Sequence, residues 1–349
     1  MNANGQILQK NRIEWVDNTK AFACFLVVLG HLLASLIKIT PTYLISGIEY
    51  IKWFIYLFHM PLFMCISGYL YYKRSNKIKN FKQYKEFECK KFINLIIPYL
   101  VFYSITMILN MSFSSSVNTP KGINEWLGII NNPISPYWFI YALMSIFIVI
   151  PILEKLFNNN KIYIMVLFIL LKILSLLVTT NVYFVDSIMR NGIFFFLGCF
   201  IKDNNDYPKK IVIMIIIFLY YIVSLFIYGN SGLMQDVIVV IMGLYGTIIT
   251  ISLFKQLRGN LFFDSYKKYT FQIFLMHTIF AAGVRILMLK IGIYNWYFHF
   301  IVGLTVSIYI PVLVSIISNK IKFTNFFFFP LKTIEEYKKG RILCQKKRN

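Results

Sequence analysis

An all-α polytopic membrane bundle of about ten transmembrane helices is the fold that the sequence predicts, and three observations predict it. Of the 349 residues, 58% are hydrophobic and 14% charged, and the mean hydropathy of +0.64 exceeds what a water-soluble core requires. Apolar runs at 20–38, 51–70, 92–111, 137–153, 162–180, 190–201, 211–228, 237–254, 270–288 and 295–318 mostly approach the ~20 residues that span a bilayer core. Finally, 29 of the 36 basic residues fall in segments assigned to one side. Short cytoplasmic loops collect Lys and Arg, so both termini are expected in the cytoplasm. Lys38, Lys52, Lys121, Arg190 and Lys290 are left outside, while Lys172 and Arg285 fall within helices.

The same pattern excludes other classes. A net charge of +22 suits a nucleic-acid binder in principle, but such proteins carry their cations on solvated faces, not between long apolar runs. Membrane lipid is the expected surface partner, with no nucleic acid; assembly into a homo-oligomer is left open. Residues 1–19 form a polar cytoplasmic segment, and the run after them has no small-residue cleavage site, so the first helix is expected to stay as an anchor. Residues 20–318 read as one transmembrane domain without an internal repeat, which counts against inverted-repeat transporter architecture. Residues 319–349 form a basic cytoplasmic tail whose Phe326–Phe329 cluster suits an interfacial segment on anionic lipid. A basic loop from Lys73 to Lys91 is expected inside, and a Ser-, Asn-, Pro- and Gly-rich loop over 112–136 outside. Cys24, Cys65, Cys89, Cys199 and Cys344 show no CxxC spacing, and none is placed outside, where a disulfide persists.

Ionisable side chains at bilayer depth are costly and are kept where they pair, line a wet cavity or do chemistry. His31 lies 11 residues beyond Lys20, His59 lies 12 before Tyr71, and His277 lies 9 beyond Lys268. At ~1.5 Å per residue these are about 16, 18 and 14 Å from the inner face. His299 is 21 residues before Lys320, about 31 Å up and at the outer interface. Three histidines from three helices thus share one layer, although each alone also suits a helix-to-helix hydrogen bond. Lys20 and Asp17 share the His31 side of the first helix. They trace a line from the inner surface to a buried imidazole, and equally suit an ordinary interfacial ion pair. Pro61, Ser67 and Gly68 near His59 suggest a bent, closely packed second helix.

At the outer ends, Tyr137, Trp138, Arg190, Arg285, Tyr294, Trp296 and His299 mix aromatic platforms with cations. That combination suits sugar rings and phosphates; the Trp and Tyr positions also suit an aromatic belt. No GxSxG, Walker or HExxH motif occurs. No carboxylate shares the histidine layer, so no metal is expected.

These residues resemble the membrane acyltransferase 3 family. Lys20 and His31 match its first-helix pattern of a basic residue, ten residues, then histidine. The stretch from His59 to Tyr69 is similar to its PLFFxISGYL signature, and Pro98-Tyr99 follows a basic region as in its third helix. Tyr137-Trp138-Phe139 resembles its LWF segment, Phe194 to Gly198 its FFxLG helix, and Phe274 to His277 its IYxxH helix. The likeness covers residues 12–285 and is to stand-alone O-acetyltransferases, such as fucose 4-O-acetylase-like proteins, without the SGNH domain fused to some relatives.

The resemblance implies an acyltransferase of the bacterial cytoplasmic membrane that uses acetyl-CoA as co-substrate, with no permanently bound cofactor. It implies a polysaccharide or lipid-linked glycan as acceptor. His31 is implied as general base or acyl relay, with His59, His277, Lys20, Asp17 and Tyr69 as supporting candidates. Lys91, Lys90, Lys85, Arg74 and Lys20 are the implied donor contacts, and Trp138, Tyr137, Arg190, Arg285 and His299 the acceptor contacts. Where many relatives carry Arg-x-x-Arg before the third-helix proline, this chain has Lys91-Phe-Ile-Asn94, which replaces two guanidinium forks with one point charge. A proton-coupled transporter or lipid-linked sugar flippase, using the same buried histidines, is the competing expectation.

Overall fold

The computed structural model describes residues 13–75, 81–202, 210–257 and 262–336; Arg12, Cys344 and the last part of the tail lie outside the described residues. Every regular element among those residues is helical, as lipid requires of a chain that must satisfy its own backbone. Helix α1 (Glu14–Leu36) leads through a 3-10 turn at Ile37–Ile39 into α2 (Thr42–Ser75), α3 (Phe81–Ser112) and a short external α4 (Ile123–Leu127). Then follow α5 (Trp138–Leu156), α6 (Lys161–Leu177), α7 (Tyr183–Leu197), α8 (Lys210–Ile227), α9 (Leu233–Gln256), α10 (Thr270–Lys290), α11 (Trp296–Ser318) and α12 (Lys322–Phe328). Each of the ten expected apolar runs corresponds to one helix, so this is a multi-pass helical membrane protein.

Among the described residues, seven helices, α1, α2, α3, α5, α9, α10 and α11, are long and apolar enough to cross a bilayer. The other three have 17, 15 and 18 residues, roughly 22 to 27 Å, so they fall short of a full span. Helix α7 tolerates its length because protein surrounds it: Ile188, Met189, Ile193, Phe194, Phe195 and Phe196 are buried. Helix α8, by contrast, turns Ile211, Met214, Ile215, Phe218 and Leu219 outward, the pattern of a lipid-facing perimeter. Helix α1 is central and packs on α2, α9, α10 and α11.

Two places differ from the sequence reading. Helices α2 and α3 run deep into the expected basic loop, so that Lys73 and Arg74 end α2 while Lys85, Lys90 and Lys91 ride on α3. The physical reason is that Tyr84, Phe87 and Lys91 recur at helical spacing and give the run one aromatic face. In the tail, Phe328 alone of the Phe326–Phe329 cluster is buried in protein instead of facing the lipid interface expected for it. Phe328 is buried against Phe102 of α3 at 5.1 Å between ring centroids, and the Leu331 amide donates to Oδ1 of Asn94. Residues 322–336 therefore pack on the bundle.

The close packing expected near His59 is present as a backbone contact between α2 and the end of α7. A Cβ on Gly68 would stand 1.8 Å from the carbonyl oxygen of Phe195, and one on Gly198 would stand 2.2 Å from that of Cys65. Neither carbonyl can yield as a flexible side chain does. Gly68→Val should therefore cost about 1 to 3 kcal/mol or more, read as a lower melting temperature of the purified protein. Gly47→Ala, whose added methyl meets nothing within 4 Å, should leave the melting temperature unchanged.

Candidate active site

Three helices bring the histidine layer together. His31 on α1 and His277 on α10 lie with ring centroids 5.1 Å apart. His59 on α2 shares with His31 a cavity of about 290 Å³ that Tyr56, Ser135, Trp138 and Phe274 also line. Gly30, next to His31, leaves room for the Tyr56 ring, whose Cε1 would meet a Cβ there at 2.6 Å. The Tyr56 ring in turn lies 5.0 Å from that of His59.

The three imidazoles are not equivalent. Nδ1 of His59 lies 2.7 Å from the Ile55 carbonyl, and Nδ1 of His277 lies 3.0 and 2.9 Å from the carbonyls of Ile273 and Phe274. A carbonyl only accepts, so in each ring Nδ1 carries the proton and Nε2 is left as a lone pair. Nε2 of His277 is buried without a partner. The half-buried His31 makes no hydrogen bond within the described residues. Of the three, it alone has both ring nitrogens uncommitted.

His31 also lines a second, larger cavity of about 580 Å³ on the outer side, bounded by α3, α10 and the external segment before α5. Ser35, Thr106, Asn110, Asn118, Lys121 and Arg285 are among its polar lining residues. Arg285 is 4% exposed. Its Nη1 donates to the Ser35 carbonyl and to Oδ1 of Asn118, both at 2.6 Å, and its Nη2 donates to the Ser116 carbonyl at 3.2 Å. Nδ2 of Asn118 returns to the Ser35 carbonyl at 2.9 Å. These bonds strap residues 116–118 across the outer end of α1, where helix carbonyls lack intrahelical partners.

Other expected residues lie elsewhere. Tyr137 is fully buried and donates to the Leu275 carbonyl at 2.9 Å, while the Thr106 hydroxyl donates to it at 2.7 Å. It ties α5 to α3 and α10 rather than facing a cavity. His299 donates through Nε2 to the Ile293 carbonyl at 2.8 Å and so closes the turn before α11. Arg190 lies exposed on α7 beside Asp186 at 3.7 Å, away from the residues lining the His31 cavities. Tyr69 accepts from Lys73 at 2.9 Å and stands 5.0 Å from Trp15, about 15 Å along α2 from His59. Asp17 and Lys20 occupy the inner end of α1.

The basic cluster divides. Lys85, Lys90 and Arg74 are exposed, whereas Nζ of Lys91 sits 3.8 Å from the Tyr71 ring centroid and 4.2 Å from those of Phe87 and Phe147. Beside it, Tyr71 bonds Tyr84, which donates to Glu154 at 2.9 Å. Lys91 is thereby committed to an aromatic cage joining α2, α3 and α5.

Several lining residues escaped the sequence reading. Tyr56 stands three residues before His59, a helical neighbour spacing that could have flagged it. Asn118 and Lys121 come from a segment with no periodicity, and nothing in the sequence signals where it folds.

The acyltransferase 3 profile, described as an acyltransferase domain, matches residues 13–316. The chain belongs to the acyltransferase 3 family. Among characterised proteins it is 35% identical over 156 residues to nodulation protein NolL of Mesorhizobium japonicum, covering 44% of this chain and 39% of the relative. It is 33% identical over 149 residues to NolL of Sinorhizobium fredii, covering 42% and 37%. The matched region thus spans less than half the length of each relative. No solved structure matches the chain.

Replacing Arg285 by Met removes the three donated bonds that strap residues 116–118. Amide exchange over 113–119 should rise about tenfold or more, measured by mass spectrometry on the protein in lipid nanodiscs, with exchange in α9 unchanged.

Proposed function

We propose that this acyltransferase-family protein is an O-acetyltransferase of the bacterial cytoplasmic membrane. It moves acetyl from cytoplasmic acetyl-CoA to a sugar hydroxyl of a polysaccharide or lipid-linked glycan. The observation that carries the proposal is the single uncommitted imidazole of His31 at the junction of two cavities. A general base needs a free ring nitrogen within reach of the proton it takes. His59 and His277 have their Nδ1 protons engaged with helix carbonyls and suit supporting roles. A His31 N–H turned towards the open Nε2 of His277 leaves the other His31 nitrogen as the base.

In the reaction, the acceptor hydroxyl oxygen attacks the thioester carbonyl carbon as His31 takes its proton. The carbon–sulfur bond then breaks, and the CoA thiolate leaves and takes up that proton, giving the acetyl ester and CoA. Because His31 borders both cavities, an acetyl-histidine relay is the variant in which donor and acceptor visit in turn. Support for an inner donor route comes from buried side-chain atoms without partners: both polar atoms of Asn18 on α1, Oε1 of Gln272 on α10, and the hydroxyls of Ser315 and Ser318 on α11. These three helices pack on one another, and their open donors and acceptors suit the amides of a pantetheine arm. With Lys91 caged, the anionic part of CoA falls to Lys85, Lys90, Arg74 and Lys20.

The test is transfer of labelled acetyl from acetyl-CoA to surface glycan in membranes carrying each variant. His31→Ala should lose roughly a hundredfold or more, whereas His299→Ala, which loosens only an external turn, should keep activity in proportion to folded protein. Full transfer by His31→Ala sinks the mechanism. Solute uptake or glycan flipping without release of CoA favours the transporter or flippase.

A further inference from the structure

The positive-inside pattern leaves few cations on the outer side, so where they gather is informative. Of the five Lys and Arg residues assigned outside, Lys38 and Lys290 line an outer cavity of about 370 Å³, and Lys121 lines the adjoining cavity of about 580 Å³. Arg285 lines both. No Asp or Glu is among the lining residues of either cavity. Glu125, which faces Lys121, is exposed and accepts from the Gly122 amide at 2.8 Å. Nζ of Lys290 leans over the Phe113 ring at 6.0 Å, and Phe113 belongs to the larger cavity.

Arg285 adds an independent observation. It is almost fully buried, bonds only neutral oxygens, leaves Nε without a partner, and makes no salt bridge among the described residues. A buried cation without a counter-charge is expensive. An anion in the adjoining space would offset that cost, and charge-assisted bonds to a phosphate or carboxylate are the strong ones. Ser35, whose carbonyl holds Arg285, is one helical turn above His31 on α1, and Arg285 is eight residues beyond His277 on α10. The cationic mouth therefore stands roughly 6 to 12 Å outward of the imidazole layer, within the span of a short oligosaccharide.

Resting on the acyltransferase reading, we infer that the acceptor is an anionic glycan. Its phosphate or carboxylate group seats at the outer mouth among Arg285, Lys38, Lys290 and Lys121, and this fixes which hydroxyl reaches His31. The site is specific for charge at one end and for the position of a hydroxyl at the other.

The experiment uses the full chain in phosphatidylcholine nanodiscs and measures binding of labelled glucose, glucuronic acid and glucose 1-phosphate. The two anions should bind about tenfold or more tighter than glucose, and salt should weaken their advantage. The double variant Lys38→Gln/Lys290→Gln, which leaves the Arg285 strap intact, should lose the preference, and Lys52→Gln should keep it. Equal binding of glucose, or an equal loss with Lys52→Gln, overturns the inference. So does abolition of anion binding when phosphatidylglycerol replaces phosphatidylcholine, since the site then belongs to lipid headgroups. Acetyl-CoA hydrolysis by wild-type discs is followed in parallel. Anion binding without CoA release counts against the transferase and leaves the anion site standing.

Discussion

Inside a bilayer, a polar atom either finds a partner in the protein or stands at a loss, and that constraint arranges the centre of this molecule. His59 and His277 meet it locally, each bonding a carbonyl about one turn back on its own helix. Arg285 meets it by drawing an external segment over the end of α1. His31 meets it with no bond from a described residue, so its nitrogens are available to whatever enters the two cavities that it borders. The close packing around it fixes the layer. Gly30 admits Tyr56, whose ring lies beside His59, and further along α2 the Gly68 and Gly198 contacts lock it against the end of α7.

Much of this was legible in the sequence, for reasons that can be named. Hydrophobic run length set the helices, and a rise of 1.5 Å per residue placed His31, His59 and His277 in one layer, where α1, α2 and α10 indeed meet. The same arithmetic set His299 apart at the outer end, yet it could not show that His299 would spend its Nε2 proton on the Ile293 carbonyl. Lys91 was illegible for a related reason. A lysine in a basic run reads as a solvated charge, and only the convergence of Tyr71, Phe87 and Phe147 from three helices makes it a caged one. Residues 116–118 carry no periodicity, so their capture by a distant arginine on α10 had no signature. The Phe cluster of the tail suits a lipid interface and a protein groove alike, and Phe102 draws only Phe328 of the four into protein.

Helix α3 shows how the two halves of the molecule divide the work. From its inner end to Phe102 it is clamped, by the Lys91 cage against α2 and α5 and by Phe328 of α12 against Phe102. Further out, the Tyr103 hydroxyl donates to the Glu125 carbonyl and Thr106 donates to Tyr137. Beyond that point Leu109, Asn110 and Phe113 line open space instead of packing on α10. A helix anchored up to Thr106 and free at its outer turns leaves the outer cavity open. The outer side holds a preformed chamber, and among the described residues the inner ends of α1, α10 and α11 carry unpaired amide and hydroxyl atoms. For the proposed transfer, that chamber suits the bulky acceptor, and the open polar atoms at the inner ends of α1, α10 and α11 suit the amides of a slender donor arm.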